Sequence, residues 1–348
     1  MNKLVLIDGN AILHRAYHAL PPLTNKEGVV VNAVYGFFSM FLKILQDLQP
    51  EYIAVCFDRA APTFRKELYV GYQAKRPKMA EDLVPQIAIL HEALEKAKVA
   101  IFEVDGYEAD DLIGTLAVQA VEGKIDGRRL KVEDSNLKME HGRSINPPTS
   151  TLKNLPSTFY HPSSNIEVII VTGDRDMLQL VNSHVKVLAP IKGITEMILF
   201  DEKLVEEKYG IKPSQFIDYK ALVGDSSDNY PGVAGIGPKT AVDLIKEYGA
   251  FDEMYKKINS LPPKIGKKLA TDAEQASLAK KLATIVTNAP IKLKLEECAM
   301  AKFSMEGARL AFEELGFKSL LKRLENGIKG PEANEKEEEN KNQQMELL

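Results

Sequence analysis

Three short apolar runs, "KLVLID" (3–8), "EYIAVCFD" (51–58) and "IEVIIVTGD" (166–174), each end on an aspartate. Their continuous hydrophobicity and β-branched residues predict strands buried on both faces, as in a parallel sheet. Helical spacing between them, as in "AVYGFFSMFLKILQD" (33–47), predicts crossover helices. The alternation argues for an α/β fold with a central, mostly parallel sheet flanked by helices. In open sheets of this kind ligands gather outside the carboxyl ends of the strands, where Asp8, Asp58 and Asp174 fall.

A second acidic concentration lies in "EVDGYEADDLIG" (103–114), at a predicted helix start. The positive end of a helix accommodates one or two carboxylates. Glu108, Asp110 and Asp111 together repel one another unless a cation sits between them. Adding Asp176 of "TGDRD" and Asp225 and Asp228 of "GDSSDN" brings the set to nine acids. Singly, each has a structural reading as a turn former or helix cap. Nine oxygen donors at one presumed edge, with no histidine or cysteine cluster beside them, suit Mg²⁺ or Mn²⁺ rather than zinc. Two such ions about 4 Å apart are a common device for phosphodiester cleavage.

Composition sets few limits of its own. The 348 residues are 45% hydrophobic and 27% charged, ordinary for a soluble globular protein of one large or two smaller domains. No apolar run approaches membrane-spanning length and "MNKLVLIDGN" reaches an Asp too early for a signal peptide, so a cytoplasmic location is the default expectation. Cys56 and Cys298 have no metal-binding spacing and are expected to be inert thiols. A net charge of −4 does not exclude nucleic acid, because clustered acids mask a basic surface elsewhere.

Two basic elements supply such a surface. "DRAAPTFRKELYVGYQAKRPKM" (58–79) carries Arg59, Arg65, Lys66, Lys75, Arg76 and Lys78 among Phe64, Tyr69 and Tyr72. Read alone it is a solvated helix face, but directly after a metal-site Asp it also suits an arm for single-stranded phosphates and bases. "GVAGIGPKTAVDLI" (232–245) lacks the glycine spacing of a Walker A loop. It resembles a helix-hairpin-helix turn, in which Gly235 and Gly237 let backbone N–H groups approach a DNA phosphate beside Lys239 and Thr240, with Lys246 adding charge.

With these motifs in order the chain resembles the 5′→3′ exonuclease domain of bacterial DNA polymerase I, in the flap-endonuclease family. The resemblance runs through "LVLIDGNAILHRAYHALPP", "VCFDRAAPTFRKELYVGYQAKRPKMAEDL", "VDGYEADDLIGTLA", "VTGDRDMLQLV" and "DYKALVGDSSDNYPGVAGIGPKTA", covering nearly all of 1–325 apart from an insertion. It implies a PIN-like nuclease core over 1–200, with a helical arch at 59–84, and a helical DNA-binding region over 201–325. Within the latter a helix–three-turn–helix at 222–246 grips duplex DNA and holds K⁺. On this sequence the resemblance implies that Asp8, Asp58, Glu108 and Asp110 hold one Mg²⁺ or Mn²⁺. Asp174, Asp176, Asp225 and Asp228 then hold the second, with Asp110 and Asp111 shared between the ions or in their outer shell. It implies catalytic roles for Arg76 and Lys75, DNA contacts from Arg59, Arg65, Tyr72, Gln73 and Lys78, and K⁺ on backbone carbonyls among Leu222, Val223, Pro231, Val233 and Ile236. The implied substrates are DNA with 5′ flaps or 5′ ends and RNA–DNA primers; a monomer is expected.

Three departures stand out. No polymerase segment follows "FKSLLKRLENGIKG", which leads us to expect a stand-alone exonuclease. Residues 123–165 interrupt a helix-to-strand connection with an aperiodic, Pro- and Ser-rich stretch, read as a flexible insertion, and 330–348 reads as a disordered polar tail. In the arch, Gln73 stands where the family pattern has a catalytic lysine. If the arch is helical there, Gln73 and Arg76 share a face and Lys75 points elsewhere. Rival readings fare worse. A haloacid dehalogenase needs a second Asp where Asn10 stands. A PIN-type ribonuclease lacks the arch and hairpin, and a non-cleaving DNA-structure binding module has no need of nine intact acids. Replacing 127–163 by a short Gly-containing loop is expected to leave the unfolding midpoint nearly unchanged, since closure entropy grows slowly with loop length. A cooperative loss of folding in thermal denaturation would show that the segment packs on the core.

Overall fold

The apolar runs form strands because their side chains have core on both sides. In the computed structural model, which describes residues 1–125, 128–129, 165–194 and 196–327, β1 (Asn2–Asp8) has Leu4, Val5, Leu6 and Ile7 all buried. The chain continues through α1 (Gly9–Ala19), α2 (Asn32–Leu48), β2 (Tyr52–Cys56), α3 (Phe64–Leu68), α4 (Val84–Lys96), β3 (Ala100–Phe102) and α5 (Ala109–Glu122). After a hairpin of β4 (Lys124–Ile125) and β5 (Arg128–Arg129) come β6 (Ile166–Val171), β7 (Val185–Lys192) and β8 (Glu196–Phe200).

Six of these strands make one sheet in the order β3-β2-β1-β6-β7-β8. All neighbours are parallel except β7 and β8, which run antiparallel. β1 is therefore central, flanked by β2 and β6, and the three aspartates at their ends meet on one edge. Alternate residues of β1 feed two cores. Leu4 and Leu6 pack with α5, while Val5 and Ile7 pack with α1, α2, α4 and a later helix over Met305–Glu314. The sheet is thus a middle layer between helices, as the alternation predicts.

From residue 202 the structure is helical: α6 (Glu202–Tyr209), α7 (Phe216–Val223), a hairpin of β9 (Gly224–Asp225) and β10 (Tyr230–Pro231), α8 (Pro238–Tyr248) and α9 (Phe251–Lys256). Four more helices follow: α10 (Pro263–Thr271), α11 (Ala273–Ala283), α12 (Met305–Glu314) and α13 (Lys318–Gly327). Gly224 ends α7 with φ +76°, and a Cβ there would lie 2.3 Å from the Gly232 nitrogen. Only glycine allows the hairpin to fold back this closely. Beyond the β4–β5 hairpin, residues 130–164 of the insertion lie outside the described residues, as does the 330–348 tail. Among the described residues no helix is long and apolar enough to cross a membrane.

The arch departs from expectation. Its regular helix is confined to α3, and the chain then runs through successive turns. Gln73 has φ +55°, and its N–H donates to the Asp228 carbonyl at 2.8 Å. A residue in the left-handed region breaks helical register. Gln73 and Arg76 therefore do not share a helical face.

Arg65 is a second correction. Its guanidinium is buried, donating to both carboxylate oxygens of Asp111 at 2.7 and 2.8 Å and to the carbonyls of Leu282 and Thr284 at 3.0 Å. It cannot reach a DNA phosphate without leaving the core. Asp111 in turn accepts from the N–H groups of Val286 and Glu108, which exhausts it as an outer-shell metal acid. Removing one partner of a buried ion pair typically costs about 3–5 kcal/mol. Arg65→Met is expected to lose that much in denaturant unfolding, and Arg65→Met with Asp111→Leu to recover about half, because the second change also removes the orphaned charge. Equal losses in both variants would show that packing, not charge, matters there.

Candidate metal centre and nucleic-acid interface

Asp8 ends β1 and caps α1: its Oδ1 accepts from the Ala11 N–H at 2.9 Å and its Oδ2 from the Thr172 hydroxyl at 2.8 Å. Asp58 follows β2 and accepts from the Ala109 N–H at 2.7 Å. Glu108 caps α5 and accepts from the hydroxyls of Thr63 at 2.9 Å and Tyr72 at 3.1 Å. Asp110 lies in the first turn of α5, and Asp174 and Asp176 lie just beyond β6. All six line one cavity of about 930 Å³, joined by Asp228 from the β9–β10 hairpin.

The acids raise one another's proton affinity. Burial, then Asp58, pushes the Asp8 carboxyl up to about 7; burial, then Asp174, does the same for Asp176. Burial also raises Glu108 and Asp228, and holds Asp110 well above the usual carboxylate range. Asp58 is exposed to cavity water, yet is ringed closely enough by protein that desolvation raises it too. A cavity of acids that resist ionising is built for divalent cations. The donor set fits them: Asp176, Asp225 and Asp228 each offer an oxygen, all within 4.8 Å of one another, and among the described residues no histidine or cysteine joins the group. The residues thus suit oxygen-seeking Mg²⁺ or Mn²⁺.

The hairpin acids and Asp176 differ from Asp8, Asp58 and Asp174 in having protein cations on them. Asp228 is 2.5 Å from Arg76 of the arch and accepts from the Tyr72 hydroxyl at 3.3 Å. Lys220, on α7, lies 2.5 Å from Asp176 and also bridges to Asp225. Burial would raise Asp225, but the bonds from Lys220 and Ser227 outweigh it and hold the carboxyl below its ordinary value. Sequence reading missed Lys220; its only signal is its position five residues before Asp225 in "DYKALVGD".

The same cavity is also lined by basic residues. Arg59, Gln73, Lys75, Arg76 and Lys78 all line it, Arg59 pairing with Asp105 at 3.1 Å. Tyr72 is not an exposed stacking ring but a buried one, bonded to Glu108 and Asp228 and stacked on Tyr230. Gly235, Gly237, Lys239 and Thr240 lie outside the cavity, at the turn entering α8. Of the carbonyls expected to hold K⁺, those of Leu222 and Val233 accept N–H bonds from Val233 and Ile236 within that turn.

Residues 3–130 match the 5'-3' exonuclease N-terminal resolvase-like domain, and residues 211–306 match the 5'-3' exonuclease C-terminal SAM fold. The chain belongs to the 5′–3′ exonuclease family. It is 37% identical over 324 residues to DNA polymerase I of Caldicellulosiruptor bescii, covering 92% of this chain and 33% of that protein. To Bacillus subtilis DNA polymerase I it is 36% identical over 323 residues, covering 92% and 32%. The chain thus spans about a third of the length of these relatives. In fold it is similar to the T5 D15 protein co-crystallised with metal ions, at a TM-score of 0.59 and 18% identity, covering 93% of this chain and 98% of that one. The catalytic core of Rad2 in complex with DNA substrate gives 0.51 at 14% identity, covering 94% and 92%.

A carboxyl whose folded pKa lies above its unfolded value holds its proton better when folded, so stability falls as pH rises through the interval between them. For Asp8 and Asp176 that interval runs from 3.8 to about 7. The metal-free melting temperature is therefore expected to fall between about pH 4 and pH 7, with Mg²⁺ recovering more at about pH 8 than at pH 5. Asp8→Asn is expected to raise the metal-free midpoint at pH 8 by about 2–6 °C. A lower midpoint would contradict the repulsion.

Proposed function

We propose that this chain is a metal-dependent 5′→3′ exonuclease and structure-specific flap endonuclease. Its substrates would be DNA with 5′ flaps or 5′ ends and RNA–DNA primers, as arise in replication and repair. The observation that carries this reading is one cavity lined both by acids from three strand ends, α5 and the hairpin and by the basic residues of the arch. Membership of the family, and relatives solved with metal ions and with DNA, support it.

Asp8, Asp58, Glu108 and Asp110 would hold one Mg²⁺ or Mn²⁺, and Asp174, Asp176, Asp225 and Asp228 the second. When bound, such ions supply a water activated for attack and positive charge on the phosphate. The chain's own residues then position the substrate. Thr172 and the Ala11 and Ala109 N–H groups orient Asp8 and Asp58, so these carboxylates need little rearrangement to bind. Arg76 is held by Asp228, and among the described residues Lys75 makes no ion pair, leaving its ammonium free for a phosphate on the cavity wall. Gly235 and Gly237 in the turn before α8, with Lys239 and Thr240 in its first turn, would grip duplex phosphates, as in a helix-hairpin-helix. K⁺ on carbonyls among Leu222, Val223, Pro231, Val233 and Ile236 would complete that grip.

The test is cleavage of a labelled 5′-flap substrate with and without Mg²⁺. Asp174→Ala is expected to abolish turnover while flap binding in Ca²⁺ stays within a few-fold. Substantial Mg²⁺-dependent turnover in that variant would overturn the metal assignment. Because the arch is non-helical at Gln73, Lys75 is free to serve as its second cation. Lys75→Ala should then slow single-turnover cleavage by about 10²-fold, the usual scale for a lost transition-state donor, and Gln73→Lys should change little. A large gain from Gln73→Lys with a harmless Lys75→Ala would restore the helical register.

A further inference from the structure

The hairpin acids are occupied by the protein itself. Lys220 projects from the last turn of α7, and the sharp reversal at Gly224 brings Asp225 back over it. Its ammonium lies 2.5 Å from Asp176 and bonds Asp225, a residue whose other oxygen accepts from the Ser227 N–H at 2.7 Å and hydroxyl at 2.5 Å. Both oxygens of Asp225 are engaged, and a metal ion bridging Asp225 and Asp176 has to take the place that the Lys220 ammonium occupies. Asp228 is similarly engaged by Arg76 and Tyr72. By contrast, among the described residues no lysine or arginine pairs with Asp8, Asp58, Asp110 or Asp174.

We propose that Lys220 is a built-in counter-cation for the second metal site, occupying the wedge between Asp176 and Asp225 until a divalent ion expels it. The inference rests on the metal-dependent reading above. An ammonium and a divalent ion cannot share that wedge. Mg²⁺ approaches carboxylate oxygens to about 2.0–2.1 Å, closer than the ammonium lies, and the two cations would repel strongly at such a separation. Lys220 carries half the charge of the ion it replaces, enough to let the metal-free hairpin fold against the sheet edge. The two sites then differ in degree: at the first only Glu108 has a cation near it, Arg65 at 3.5 Å, so Asp8, Asp58 and Asp110 wait uncompensated and take their ion first, whereas the second exchanges one cation for another. Lys220 is a positioning residue here, since it acts through the acids and not on the substrate.

The test is Mn²⁺ titration of the DNA-free protein by calorimetry. Wild type is expected to bind two ions, the second more weakly. Lys220→Met keeps the side chain's length and removes its charge; it should tighten the second ion about tenfold, lower the metal-free melting temperature and leave the first ion unchanged. Lys220→Arg should keep the second site weak. An unchanged or weakened second ion in Lys220→Met would overturn the proposal. If that variant does not fold, ¹⁵N spectra of the wild-type lysine ammonium groups decide the matter, with Lys220→Arg identifying the signal. A protected Lys220 resonance should be present without metal and vanish with the second equivalent of Mg²⁺; persistence of that resonance at two equivalents would also overturn the proposal. Failure of wild type to bind any divalent ion would instead defeat the metal reading on which the inference rests.

Discussion

The salt bridge between Arg65 and Asp111 joins three parts of the chain that have no local reason to meet. Arg65 begins the arch, Asp111 opens α5, and the carbonyls of Leu282 and Thr284 belong to the end of α11 and the loop after it. Burying this pair costs desolvation on both partners, so it is weak evidence for stability in itself. Its larger effect is on register. Asp111 also accepts the Glu108 N–H in a reciprocal cap, which fixes how Glu108 and Asp110 enter the cavity. The arch base, the start of α5 and the helical region are thereby set against the sheet edge by one buried charge pair.

Around that clamp the remaining charges are arranged unevenly. Strand-end acids lie at the carboxyl edge, held by N–H groups and hydroxyls that leave their negative charge in place. The hairpin acids arrive from a separate helical region and come with Lys220 and Arg76 against them. This division follows from assembly. Acids on a rigid sheet edge are brought together by strand pairing whatever their charge, whereas a loop docking against them from elsewhere must overcome repulsion. Cations on α7 and the arch reduce that repulsion. The same contacts tie the arch to the hairpin, since Gln73 and Arg76 both bond Asp228.

Much of this was legible along the chain, and the reasons are local. Runs such as "IEVIIV" have the length and branching of buried strands, and an Asp directly after each run falls at the carboxyl edge whatever the order of strands. The capping role of Glu108 and the crowding at the start of α5 were likewise written in consecutive residues. The arch was harder. Basic and aromatic residues at 59–78 read equally well as an arm or a helix face, and the left-handed backbone at Gln73 has no signature in a non-glycine residue.

Strand direction, the acidic edge and the order of the motifs were set by the sequence, because each depends on residues a few positions apart. Which charges face substrate and which face one another was decided in three dimensions. Arg65 and Lys78 are both basic residues of one segment, yet one is buried on Asp111 and the other lines the cavity. Asp110 and Asp111 are neighbours, yet helix geometry turns one toward the cavity and the other into the core. The pairings of Lys220 with Asp176 and of Arg76 with Asp228 span tens to more than a hundred residues. Electrostatic partnership depends on distance in space, and a linear pattern of charge carries no record of which distant residue the fold will bring within 3 Å.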